Sequence, residues 1–186
     1  MSIEKRAWKK VESFLASDTF DGFTADDLFI LRFVKKGWGQ DIAALSNMAE
    51  AVSLRHEAGL IDLAEAQKLV RSALERATHS SVSPYRTGID SVTDLGAFGY
   101  YLEHLNIIAG VSCALGDEKY SDLNVRISAH LHQMSVTQKN AHARLLPHVK
   151  MRWSADQAVI LKSLWLCDQN QQTDFHSEPA EKWLVF

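Results

Sequence analysis

Three prolines and nine glycines are all that interrupt this 186-residue chain. These two residue types break helices most effectively, so their scarcity favours long regular elements. Cysteine is scarcer still. Cys113 and Cys167 stand far apart, each inside an apolar helical pattern, and two thiols do not make a disulfide scaffold in a chain of this size. They read either as buried thiols acting as small hydrophobes or as a catalytic thiol, which would need a base beside it. A large charge of one sign is also missing: 23% of residues are charged and the net charge is −3, which argues against a dedicated nucleic-acid binder. No window approaches the roughly 18 apolar residues of a membrane span. The N-terminal MSIEKRAWKK interleaves charges with its apolar residues and has no apolar core of the secretory kind. The chain is expected to be soluble and cytoplasmic.

Motifs for metals and phosphates are missing as well. His130 and His132 are two residues apart and point to different sides of a helix. His142 and His148 flank ARLLP without a third ligand, and no His-x-x-x-His, HExxH or CxxC spacing occurs. There is no Gly-rich phosphate loop, GxSxG elbow or kinase signature. No metal and no cofactor are expected.

What is there is helical period, almost throughout. In Ser2–Ala16, Trp8, Val11, Phe14 and Leu15 recur at helical spacing, while Lys5, Arg6, Lys9 and Lys10 crowd the other side as a solvated basic face or a membrane-surface face. Thr24, with Asp27 three residues on, starts a second helix through LFILRFV, and Gly37-Trp38-Gly39 ends it. A third helix is predicted over Gln40–Ala58, with Ile42, Leu45, Ala49 and Val52 inward and Gly59 as its stop. Asp62 and Glu65 then cap a fourth, whose stripe is Leu63, Ala66, Leu69, Val70, Ala73 and Leu74. Helices three and four should form an antiparallel hairpin. The stretch His79–Asp94, containing SSVSPYRTG, has no helical period and reads as a functional or mobile loop or as a disordered connector. Further helices are predicted over Leu95–Leu115, over Ser121–Met134 and from Ser154 onward, with a short helix or irregular segment at Asn140–His148. The tail from Gln169 is polar and reads as loose, but it ends in KWLVF, an apolar terminus suited to a partner surface or a second copy. The whole is a single all-α domain of successive hairpins, with N-terminal helices over residues 1–38 and a loose tail over 169–186.

The most informative segment is GAFGYYLEHLNIIAGVSCALG, residues 96–116. It is apolar on nearly every side, which places it inside. Yet Gly99, Glu103, Asn106 and Gly110 form a stripe of small and polar residues, and Tyr100 and His104, one turn apart, form another beside it. A buried carboxylate needs partners or water. Either this stripe borders a hydrated cavity, or Glu103 and Asn106 tie neighbouring helices together. Asp156, at the first turn of the helix RWSADQAVILKSLWLCD, divides in the same way. It gains from the helix macrodipole without any function, or it points into a cavity mouth as a general acid or base.

Three segments, GYYLEHLN, ALGDEKYSDLNVRISAHL and RWSADQAVILKSLWLCD, together resemble the linalool dehydratase/isomerase-like group of (α/α) toroid proteins. The resemblance spans about Gly99–Asp168. It rests on an inner helix with paired tyrosines and Leu-Asn, a Gly-Asp-x-x-Tyr link and a Trp-x-Ala-Asp helix start. It implies inner helices lining a pocket for a small organic or sugar-like substrate, with acid–base chemistry by Tyr, His, Asp and Cys side chains. Tyr100, Tyr101, His104 and Asp156 fall in the matching segments. No catalytic cysteine maps, because Cys113 and Cys167 lie at the far ends of their helices. The chain departs from the family in having too few helices for a full ring of hairpins, which leaves a partial toroid, a degenerate relative or a half closed by association. Two functions stay open. The first is a lyase- or isomerase-type enzyme with Tyr100, Tyr101, Glu103, His104 and Asp156 at its site. The second is a non-catalytic helical scaffold that binds a protein partner through a concave face or its C-terminal tail.

Overall fold

A computed structural model describes residues 2–20, 40–85, 88–138 and 154–185. Among these residues it is all-α and has no strand: α1 (Ile3–Ala16), α2 (Gln40–Glu57), α3 (Leu63–Thr78), α4 (Gly99–Ala114), α5 (Ser121–Val136), α6 (Ser154–Gln171) and α7 (Ser177–Leu184). The expected helix after Thr24, the Gly37-Trp38-Gly39 break and the Asn140–His148 segment lie outside the described residues. No helix among the described residues is long and apolar enough to cross a membrane.

The local chemistry accounts for each element. Ser2 caps α1, its hydroxyl accepting from the Lys5 amide. Asp62 caps α3 through the Glu65 amide at 2.8 Å. Gly59, at φ +68°, closes α2 in the left-handed conformation that side chains disfavour, and its short link to α3 makes the two an antiparallel pair. Ile42, Leu45, Ala49 and Val52 from α2 meet Ala66, Val70, Ala73 and Leu74 from α3, all fully buried. Arg76 fastens α1 to this pair. Its guanidinium donates to the Phe14 and Ser17 carbonyls, both at 2.8 Å, and lies over the rings of Phe14 and Phe20. Those bonds let a charged residue that is only 5% exposed stay buried.

Helix α4 runs through the middle, with α2, α3, α5 and α6 packed around it. Every residue from Tyr101 to Ser112 is buried. Leu102, Leu105 and Ile108 are fully enclosed, each worth about 1.5–3 kcal/mol of apolar burial. Asn106 pairs with Ser163, and Gly110 meets Leu166 and Asn170, so α4 and α6 run parallel. α5 runs antiparallel to both, as the contacts of Asn106 with Asn124 and of Ser135 with Gln157 require. The α4–α6 approach is close. A β-carbon at Gly110 would lie 2.7 Å from Leu166 Cδ2 and 2.8 Å from its Cγ.

Two stretches differ from their sequence reading. The His79–Asp94 loop is fastened rather than loose in its described residues. Tyr85 is buried and donates to the Leu95 carbonyl at 2.6 Å, and Arg126 donates to the carbonyls of Ile89 and Val92. Turn-forming composition reports the absence of helical period; it does not report which loop residue finds a socket. The tail from Gln169 is also ordered. α6 continues to Gln171, and α7 follows. Asp168 holds the turn between them, accepting from Thr173 Oγ1 and from the Phe175 and His176 amides, while the Phe175 carbonyl lies 2.8 Å from His132 Nδ1.

Replacing Gly110 by Val should lower stability by about 1–3 kcal/mol, because the added methyls must displace Leu166 at the α4–α6 seam. Urea unfolding of the variant checks this; an unchanged midpoint would show that the seam is looser than its geometry.

Candidate functional site

The stripe on α4 divides into two halves with different fates. At Asn106 it is satisfied by protein. The Asn106 amide donates to Ser128 Oγ at 2.9 Å and to Ser163 Oγ at 3.1 Å, and its oxygen accepts from Asn124 Nδ2 at 2.7 Å. At Gly110 the stripe is pressed on Leu166, and the Gly110 carbonyl accepts from Asn170. This half ties α4, α5 and α6 together and borders no hollow. Its partners could have been anticipated in part, since Asn124, Ser128 and Ser135 are small or polar at i, i+4 and i+11 on α5.

One turn earlier, Glu103 has no such partners. It is 0% exposed, and neither carboxyl oxygen accepts or donates a hydrogen bond. His104 Nε2 lies 3.6 Å from Glu103 Oε1, beyond hydrogen-bond length. His104 is itself buried, with Nδ1 unpartnered, and its ring meets that of Tyr100 edge-on at 5.0 Å between centroids. Tyr100, Glu103 and His104 stand at i, i+3 and i+4, a spacing that gathers side chains on one side of a helix. Asp156, in the first turn of α6, lies near enough to Tyr100 and Glu103 for its charge to act on both. It is half-buried, with Oδ2 sealed and unpartnered.

Electrostatics links these four groups. Burial raises the Glu103 carboxyl well above its ordinary value, and the nearby Asp156 raises it further. Burial raises Asp156 as well, against the α6 dipole that favours its anion. The His104 imidazole is lowered to about 4 by the same loss of water. The Tyr100 phenol is raised to about 12, first by burial and then by Glu103 and Asp156. Loss of water thus disfavours the charged forms of both the carboxyl and the imidazole beside it.

Tyr101 is not part of this cluster. One residue beyond Tyr100, it is turned about 100° around the helix. Its hydroxyl donates to the Ala77 carbonyl at 2.9 Å and its ring packs edge-on against Tyr85. That bond serves the α3–α4 seam. The two cysteines are distant too. Cys113 sits ten positions beyond Glu103 on α4, about 15 Å along the axis. Burial pushes its thiol up to about 11 and raises Cys167 as well, which leaves both as weak nucleophiles. No group of three or more His, Cys, Asp or Glu among the described residues is placed to hold a metal ion.

No protein-family model matches this chain, and comparison with curated proteins finds no match.

Two expectations separate the cluster from its surroundings. Tyr101→Phe should cost about 1 kcal/mol, one buried hydrogen bond, without changing how stability depends on pH. Glu103→Gln should change that dependence. The folded state keeps the Glu103 proton above the pH at which the unfolded state loses it. The contribution of Glu103 is then fully present below about pH 4.5 and declines, by up to about 1.4 kcal/mol per pH unit, as pH rises through the folded value. His104 acts in the opposite sense: its neutral form contributes fully above about 6.5, and that contribution is lost as pH falls towards about 4. Glu103→Gln minus wild type isolates the first effect, so the variant should gain relative stability from pH 5 to pH 8 in urea unfolding. A flat difference would mean that Glu103 titrates normally.

Proposed function

We propose that this chain is an acid–base enzyme of the lyase or isomerase kind, acting on a small organic or sugar-like molecule at the Tyr100–Glu103–His104–Asp156 cluster. The observation that carries it is a fully buried carboxyl with both oxygens unpartnered, set against an imidazole that burial keeps neutral. A group placed this way is costly to the fold unless a ligand or a proton uses it.

Elimination of water and shift of a double bond both need a proton delivered at one atom and removed at another. Glu103 delivers a proton to a departing or unsaturated centre, and the unprotonated His104 nitrogen removes one. Tyr100 braces the His104 ring and narrows access for water. Asp156, the most exposed of the acids, orients the substrate at the outer edge and passes protons between Glu103 and solvent. Kinship with toroid enzymes is part of this proposal, supported by the acid's position on a central helix. The second reading, a non-catalytic scaffold, is favoured by Leu184 and Val185, 75% and 81% exposed at the end of α7, which leave an apolar tip for a partner.

The test is turnover. A panel of allylic alcohols, hydroxy acids, amino alcohols and sugars is incubated in deuterated water and followed by NMR for loss of water or uptake of deuterium. Wild type should turn over at least one member. Glu103→Gln should slow that reaction by about 10²-fold or more, while Tyr101→Phe leaves it near the wild-type rate. An inert wild type, or equal rates in wild type and Glu103→Gln, would leave the scaffold reading standing.

A further inference from the structure

The cluster also carries information about what it holds. A fully buried carboxyl on α4 and a half-buried one on α6 lie near enough for Asp156 to raise Glu103, and among the described residues no cation answers them. Glu103 is affected by burial and by Asp156 alone, and Asp156 by burial alone. The nearest lysine along α6, Lys162, is engaged with Glu50 of α2. Other acids are answered: Asp117 by Arg71 at 2.8 Å, Glu178 by Lys182 at 2.6 Å, and Asp168 by the Thr173 hydroxyl and two amides. Glu103, the fully buried carboxyl among the described residues, has no such partner.

We propose that the Tyr100–Glu103–Asp156 cluster binds an organic cation, the primary ammonium or guanidinium group of a small substrate. This rests on the enzyme reading above and names the substrate class of that same site.

The chemistry of the donors and acceptors supports the choice. With its proton kept, Glu103 presents its carbonyl oxygen, and Asp156 presents its sealed Oδ2, both without a partner, so the site offers acceptors. A neutral hydroxyl compound offers these one O–H donor, whereas an ammonium offers three N–H donors and a guanidinium five. An anionic ligand would be repelled by the ionised Asp156. A divalent metal is disfavoured because, among the described residues, no group of three or more His, Cys, Asp or Glu is placed to hold one. The Tyr100 ring adds the aromatic surface that organic cations favour. Asp156, half-buried at the outer edge, ionises to pair with the cation, while Glu103 behind it keeps its proton and accepts through its carbonyl oxygen. The acid needed for catalysis is thereby preserved when substrate is bound.

The experiment uses full-length protein labelled with ¹³C at Asp and Glu carboxyls, with n-butylammonium and n-butylguanidinium as probes and n-butanol and butyrate as controls. Either cation at about ten times its Kd should raise Tm saturably by about 2–6 °C. It should also lower the pH at which Asp156 ionises by about one pH unit, the linkage expected when a ligand prefers the ionised form. Asp156→Asn should weaken the response at least about tenfold, and Glu103→Gln less, because its amide oxygen still accepts. A response to both cations names organic cations generally, and a response to one names that head group. Three outcomes would overturn the proposal: no response to either cation, an equal response to n-butanol, or a response undiminished in the Asp156→Asn protein. Substitution of Lys150 or Arg152 by Gln would also overturn it by itself moving the Asp156 or Glu103 signal in ligand-free protein, for the cation would then belong to the chain. The ligand-free spectrum separates the two readings. If Glu103 is neutral at pH 7 but cations do not bind, only this inference falls. If Glu103 is ionised while cations do bind, the acid–base reading falls and the site is a cation-binding one.

Discussion

A helix enclosed on every side must settle each polar group it carries inside the protein. α4 is under that constraint along almost its whole length, from Tyr101 to Ser112. Its backbone is satisfied by the helix itself; its side chains are not. Tyr101 finds the Ala77 carbonyl and Asn106 finds two serines and an asparagine. These bonds set the depth and rotation of α4 against α3, α5 and α6. The rest of the packing follows from that placement, including the contact of Gly110 with Leu166.

Under the same constraint Glu103 is an anomaly. Its neighbour along the stripe shows that the fold can supply partners at this depth, so the lack of them one turn earlier is local to Glu103. A glutamine or leucine there would stabilise the ground state without the penalty of a lone carboxyl. Stability alone therefore gives no reason for a glutamic acid at this position. What a sealed carboxyl has that an amide lacks is an ionisable proton, whose loss burial opposes. The imidazole beside it is shifted the opposite way by the same burial, which is how one dry environment produces both an acid and a base.

Much of this architecture was legible from the spacing of residues. The apolar stripes of α2 and α3, the Asp62 cap, the stop at Gly59 and the inward placement of α4 all follow from local rules, and all appear in the structure. The gathering of Tyr100, Glu103 and His104 follows from helical period, and the same period separates Tyr101 from them despite its place in the paired-tyrosine motif. What spacing could not show is which polar residue finds a partner across a helix seam. Glu103 and Asn106 sit on one stripe and look alike in sequence; only the positions of Ser128, Ser163 and Asn124 tell them apart. The same limit explains the tail. Its polar composition suggested looseness, but Asp168 closes a turn whose acceptor oxygens happen to face the chain that follows.

Asp156 is where local helix chemistry and site chemistry pull in different directions. In the first turn of α6, exposed amides stabilise an anion, and an aspartate there would ordinarily be held ionised. The structure seals Oδ2 without a partner and leaves the residue only half in water, and the net direction of its carboxyl is upward. The dipole and the burial thus oppose each other at one group. Glu103, fully buried, has no such opposition: burial and Asp156 both raise it. Asp156 is the more exposed of the two acids, and each lacks a partner at a sealed oxygen.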